Sequence, residues 1–232
     1  MPIYQLDEGL WFPNPKYGEP DGLLAVGGDL SINRLLLAYS HGIFPWFAYQ
    51  LYNEPHWYCP MERFVIFPKE IHISHSMKQL MRQDKYLITM DHDFEGVING
   101  CSKADSRNTD MGAWLGPQMI KSYTRLHKMG IAHSVEVWEV SKTENENLKS
   151  HRLVGGLYGI DLNGAFFGES MFSLVPSASK LALIHLARHL EKKNYSFIDC
   201  QFETPHLLSM GGRHIPYDEY MAMLNANAQM EK

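Results

Sequence analysis

Residues 196–204 read SFIDCQFET. They follow SASKLALIHLARHLEKKN (177–194), whose apolar residues recur with the period of an amphipathic helix. The change from a period of 3.6 to a period of two predicts a strand entered from a helix. On that strand Ile198, Cys200 and Phe202 share one face, while Phe197, Asp199 and Gln201 share the other. A carboxylate and a carboxamide on an otherwise buried strand demand partners, because buried charge is costly without one.

The same reading extends outward. YLITM (86–90) and AHSVEVWEV (132–140) read as strands, DFEGVINGCSK (93–103) as a short helix, and GPQMIKSYTRLHKMG (116–130) as a helix stopped by Gly130. RLVGGLYGIDL (152–162) and GAFFGESMFS (164–173) form a hairpin pattern, and Ser177, behind Pro176, is the expected N-cap of the following helix. The polar run SKTENENLKSH (141–151) reads as a flexible turn. Upstream, WFPNPKYGEPDG (11–22) is loop, and HWYCPMERFVIFP (56–68) is extended. DLSINRLLLAYSHG (29–42) is a short helix capped by Asp29 or Ser31, with Gly42 past its end. Strands and helices in this order predict an α+β fold, a mixed sheet with packed helices, divided near residue 62 into a small N-terminal domain (1–62) and a larger one (63–232).

Composition narrows the class. Of 232 residues 45% are hydrophobic and 20% charged, which suits a chain with a sizeable core. No run of 18 apolar residues appears, so no membrane span is expected, and the N-terminus lacks the pattern of a secretory signal. Three dispersed cysteines fit a reducing cytoplasm and argue against a disulfide framework or a zinc knuckle. The net charge of −5 does not advertise a nucleic-acid binder. Yet Lys78, Arg82 and Lys85 stand at i, i+4, i+7, as do Lys121, Arg125 and Lys128. Such stripes fit a solvated helix face or a phosphate backbone, and spacing alone does not choose.

Familiar catalytic signatures are missing. His185 and His189 have the i, i+4 spacing of two zinc ligands, but Leu186 stands where a metallohydrolase needs its glutamate. No nucleophile elbow or P-loop occurs. RLVGGLYG resembles the pyrophosphate loop of acyl-CoA-dependent acetyltransferases, except that Leu157 fills the last small position. What remains is a pair of polar strands: Asp199 with Gln201 on one, and Glu169 between Phe167 and Met171 on the other, where Glu169 pairs with Lys180 or serves a site.

GLLAVGGDLSINRLLLAYSHGIFPW, LHKMGIAHSVEVW, LVGGLYG, GESMFS, ASKLAL and IDCQ occur in that order between Phe12 and Ile215. Together they resemble the signature blocks of the bacterial leucyl/phenylalanyl-tRNA–protein transferases. The resemblance implies a small N-terminal domain followed by a domain with the GCN5-related acetyltransferase fold. It also implies transfer of Leu, Phe or, less well, Met from aminoacyl-tRNA to a protein beginning with Arg or Lys, marking it for N-end rule degradation. No cofactor, metal or membrane is implied. By that resemblance Asp199 and Gln201 lie at the reaction centre, and Leu157, Phe166, Met171, Leu183, Leu186 and Ile198 form the pocket for the donor side chain. Trp46 and Trp114 would meet the terminal adenosine, with Tyr39 and Tyr123 close by, and the two basic stripes would track the acceptor stem.

The chemistry expected of those residues is simple. An aminoacyl ester is already activated, so the amine needs positioning above all. An α-amine has a pKa near ~8, and Asp199 is expected to hold it and accept its proton. Gln201, a poor base, would orient the amine or Asp199, and Glu169 is a candidate partner for the acceptor's Arg or Lys. Two other readings stay open: a catalytically silent tRNA-binding module, and an acetyl-CoA-dependent N-acetyltransferase.

Overall fold

Among the described residues, strand-forming segments sort into two sheets of four and seven strands. The structure, a computed structural model, describes residues 3–47, 51–108, 115–140 and 151–230. The small sheet contains β1 (Tyr4–Leu6), β2 (Leu23–Gly27), β3 (Phe44–Pro45) and β4 (His56–Tyr58), in the order β1-β2-β4-β3. Helix α1 (Ile32–Ser40) starts where the Ser31 side chain accepts from the Arg34 N–H at 3.3 Å, which decides between the two expected caps.

The large sheet begins with β5 (Glu62–Ile66) and continues with β6 (Tyr86–Met90), β7 (Ala132–Glu139), β8 (Arg152–Leu162) and β9 (Ala165–Ser173). β10 (Ile198–Asp199) and β11 (Arg213–Pro216) complete the order β11-β5-β10-β9-β8-β7-β6. All neighbours are antiparallel except β9 and β10. The helices are α2 (His75–Leu80), α3 (Phe94–Asn108), α4 (Pro117–Lys128), α5 (Ala178–Lys192), α6 (Pro205–Leu208) and α7 (Tyr217–Met230). This is the mixed α+β architecture expected, with helices on both sides of the larger sheet.

Alternation along the strands divides the core by faces. Val65, Tyr158, Phe167 and Phe197 join α1, α3, α4 and the small sheet in one apolar cluster. Phe64, Ile66, Leu157, Phe166 and Ile198 join α5 in the other. Strands buried on both faces read as continuous apolar runs, which is why VGGLYGI carries no polar alternation.

Two irregularities place the site. β10 pairs with β9 only at Ile198–Phe166 and Asp199–Phe167, after which the two chains part. In the β8–β9 ladder Tyr158 faces Ser170 and Gly159 faces Gly168, so Glu169 is an extra residue, a β-bulge. The bulge turns Glu169 to the side of Phe167 and Tyr123 while Met171 packs with the α5 cluster. Phe167, Glu169 and Met171 therefore do not share a face, contrary to simple alternation.

Other expectations are also corrected. Ser177 precedes α5 in a left-handed conformation (φ 70°) and caps nothing; Ser173 Oγ accepts from the Ser179 N–H at 2.9 Å instead. The end of β9 lies beside the start of α5, so its serine supplies the cap. α2 stops at Leu80, leaving Arg82 and Lys85 beyond it, so Lys78, Arg82 and Lys85 do not form one helical face. DFEGVINGCSK is the start of the 15-residue α3. RLVGGLYG lies wholly inside β8 and forms no loop, which removes the pyrophosphate cradle that an acetyl-CoA enzyme needs. Residues 141–150 of the expected polar turn lie outside the described residues.

Candidate active site

A cavity of about 680 Å³ opens where β9 and β10 part, lined by Gly168 to Ser173 on one side and by chain after Asp199 on the other. Its apolar wall is Leu157, Met171, Leu183, Leu186 and Ile198. Its aromatic rim is Phe44, Trp46 and Phe202. Five of the six expected pocket residues therefore line one cavity. Phe166 does not; it is buried one layer back, in the same apolar cluster. There its ring lies over Gly159, where a Cβ would approach Phe166 Cε1 to 2.4 Å and Phe167 O to 2.2 Å.

Gln201 lines the cavity by an unusual route. Its φ is 57°, sparsely populated for a residue with a side chain. The Asp199 carboxylate accepts the Gln201 N–H at 2.9 Å, and Phe202 N–H donates to Cys200 O at 2.7 Å across the turn. This turn ends the strand at Asp199 and brings Gln201 to the cavity with Ile198 and Cys200, so Asp199 and Gln201 do not lie side by side. A left-handed glutamine so held is strain maintained by its surroundings, which points to use.

Asp199 itself has no exposed surface. Arg63 Nε lies 3.0 Å from its Oδ1 and 3.1 Å from its Oδ2, and Tyr220 Oη donates to Oδ2 at 2.9 Å. Arg63 is held in turn between the Phe44 and Tyr220 rings, 4.8 and 4.9 Å from their centroids, and donates to Gly42 O at 2.6 Å. The carboxylate expected to receive the amine is thus turned away from the cavity and fully partnered; its visible work is to fix Gln201.

Glu169 is the contrasting carboxylate. It lines the cavity, and Tyr123 Oη donates to its Oε2 at 2.7 Å. Oε1 is buried with no hydrogen-bond partner among the described residues. Lys180 does not reach it, but bonds to Ser209 Oγ at 3.5 Å. Burial pushes the Glu169 carboxyl up to about 7, against the downward pull of the Tyr123 and Tyr39 hydroxyls. Tyr39 and Tyr123 are fully buried, their hydroxyls 2.7 Å apart, so they reach the site by their hydroxyls and offer no ring face. Trp46 keeps 43% of its surface exposed at the rim, against Tyr58 and Phe202. Trp114 lies outside the described residues. Cys200 also borders the cavity, but burial pushes its thiol up, away from the thiolate a nucleophile requires.

An apolar slot beside a strained amide, an acid of raised pKa and an exposed tryptophan suits transfer of an apolar acyl group. Comparison with known proteins shows the family. Residues 65–225 match the leucyl/phenylalanyl-tRNA protein transferase family, and residues 28–61 match that family's N-terminal domain. The leucyl/phenylalanyl-tRNA–protein transferase of Thermodesulfovibrio yellowstonii is 45% identical over 231 residues, covering 100% of this chain and 89% of its own. That of Desulforapulum autotrophicum is 45% identical over 231 residues, with 99% and 94% covered. That of Nitrosomonas eutropha is 47% identical over 209 residues, with 89% and 82% covered.

The chain belongs to the leucyl/phenylalanyl-tRNA protein transferase family. It is an aminoacyltransferase. The two expected basic stripes are placed differently. Lys121, Arg125 and Lys128 form one exposed face of α4, whose opposite face buries Met119, Tyr123 and Leu126. Lys78, Arg82 and Lys85 are exposed as well, though only Lys78 is helical. Sequence reasoning about the transferase missed Arg63, Tyr220, Phe44, Phe202 and His206, the last a cavity residue whose Nε2 is buried without a partner among the described residues. Arg63 left a signal: an arginine at the head of the apolar run FVIF.

Proposed function

We propose that this aminoacyltransferase moves Leu, Phe and, less well, Met from aminoacyl-tRNA to proteins beginning with Arg or Lys, the mark read by the N-end rule pathway. The carrying observation is the cavity between the parted strands, lined by an apolar wall and also by Glu169 and Gln201. The donor side chain fills the apolar wall, and Trp46 stacks on the terminal adenosine, a contact that any tRNA can make. Gln201, fixed by Asp199, orients the incoming amine, and Glu169 supplies the negative charge that a cationic acceptor seeks. The chain divides at about residue 62, and the part after it has the acetyltransferase-like fold. One parallel strand pair parted around a cavity in an otherwise antiparallel sheet supports that reading.

Mixing the protein with leucyl-tRNA and an Arg-initiated peptide tests this directly. The peptide should gain the mass of one leucyl residue, and acetyl-CoA in place of the tRNA should leave it unchanged. Binding of the tRNA with no gain in mass would support a silent binding module instead.

The α4 stripe is proposed to track the tRNA backbone. Changing Lys121 and Arg125 to Glu should weaken tRNA binding and flatten its log–log salt dependence by about 1–2. An unchanged salt slope would return these charges to the role of a solvated helix face.

A further inference from the structure

We infer that Glu169 takes the proton of the acceptor's terminal ammonium through its unpaired Oε1, while Tyr123 and Tyr39 hold the other oxygen in place. This rests on the transferase reading above and names the proton acceptor within it.

Two carboxylates stand at the reaction centre, and their surroundings divide the work. Asp199 is matched by the Arg63 guanidinium and bonded by Tyr220 and the Gln201 N–H. Both of its oxygens are thereby already taken up by donors. Glu169 has hydroxyls where Asp199 has a cation. Tyr123 Oη spends its proton on Oε2, so its oxygen accepts from Tyr39 Oη, and the chain runs from α1 through α4 to the bulge in β9. Oε1 is the oxygen left over. Bulges re-aim side chains, and this one places a carboxylate at the opening between two parting strands.

The groups facing Glu169 are Tyr39 from α1, Tyr123 from α4, Asp199 from β10 and Arg63 from β5. Burial pushes its carboxyl up to about 7; the two tyrosines and Arg63 pull it down, and Asp199 pushes it up. Such an acid exchanges a proton readily near neutral pH.

The step balances simply. The ammonium gives one proton to Oε1, and the freed lone pair attacks the ester carbonyl carbon. A C–N bond forms, the bond from that carbon to the ribose oxygen breaks, and a second proton passes from nitrogen to the departing oxygen. Glu169 then releases its proton to water.

The test compares parent and Glu169→Gln in single turnovers with leucyl-tRNA and two acceptors. One is an Arg-initiated peptide; the other carries a hydrazide, neutral across the pH range, in place of its α-amine. With an α-amine of pKa ~8, only about one molecule in 30 is neutral at pH 6.5. Glu169, titrating at about 7, is itself only partly ionised there, so the variant should be slower by roughly 10-fold at pH 6.5, shrinking to near parity by pH 8.5, and within a few-fold of the parent with the hydrazide. A deficit independent of pH, or equal with both acceptors, would mean that Glu169 binds the Arg side chain or is structural, and would overturn the inference. No transfer by the parent would instead sink the transferase reading.

Two further measurements guard against misfolding. Tyr123→Phe removes a donor that lowers the Glu169 pKa, so the low-pH limb of the parent's rate should move upward; a limb that stays put counts against the inference. In urea unfolding the parent holds an extra proton when folded, between about 4.5 and about 7. Its stability should fall as pH climbs through that window, and Glu169→Gln should lose this fall. The same pH dependence in both proteins would count against a titrating Glu169.

Discussion

An Arg63→Met variant should lose about 3–5 kcal/mol of stability and nearly all transfer activity, because it leaves the Asp199 carboxylate buried without its cation. Asp199 has no exposed surface, and the nearest remaining donors, Tyr220 and the Gln201 N–H, are neutral. Removing both charges should behave differently. Arg63→Met combined with Asp199→Leu leaves no uncompensated ion, so much of the stability should return. Transfer should not return with it, since the leucine cannot accept the Gln201 N–H and nothing holds that residue at φ 57°. Urea unfolding and single-turnover rates on the two variants check both halves. Losses that simply add in the double variant would show that the ion pair is not what couples these residues.

Donor choice should be decided by shape. Leu157, Met171, Leu183, Leu186 and Ile198 line the apolar wall proposed to take the donor side chain. A β-branched side chain carries its bulk next to Cα, where the ester must dock, and its χ1 is stiff. Leucine should be used in preference to isoleucine by roughly 10–200-fold, the value of one misplaced methyl group at about 1–3 kcal/mol. Met171→Ala should widen the slot and shift choice from Leu toward Phe. Competition between leucyl- and phenylalanyl-tRNA for an Arg-initiated peptide measures the shift. An unaltered donor ratio would remove Met171 from the pocket wall.

How much of this was legible in the sequence depends on whether the information was local. Periodicity gave the strands and helices, and a charge inside an apolar strand drew attention to Asp199 and Glu169. What it could not give was direction. Alternation placed Gln201 beside Asp199, but a left-handed turn between neighbours carries no periodic signal, and it brings Gln201 to the opposite side. The bulge at Glu169 likewise breaks the parity that joined it to Met171. Partners were harder still. Asp199 is bonded to a residue 136 positions away, so only the fold brings the pair together. The stripe at Lys78 failed for a local reason: α2 is six residues long, too short to carry i, i+4 and i+7 on one face.

The clamp around Arg63 has a consequence for how the protein is made. One guanidinium is tied to Gly42 O and the Phe44 ring early in the chain, and to Asp199 and the Tyr220 ring late in it. Chains are synthesised from the N-terminus at roughly 5–20 residues per second. A nascent chain that has emerged as far as α6 carries every wall of the cavity but lacks the ring and hydroxyl of Tyr220. The arginine is then covered on one face only, and its carboxylate is short of a donor. Helix α7, synthesised after every wall of the cavity, thus completes the surroundings of Asp199, and a copy that stops before Tyr220 should lack transfer activity.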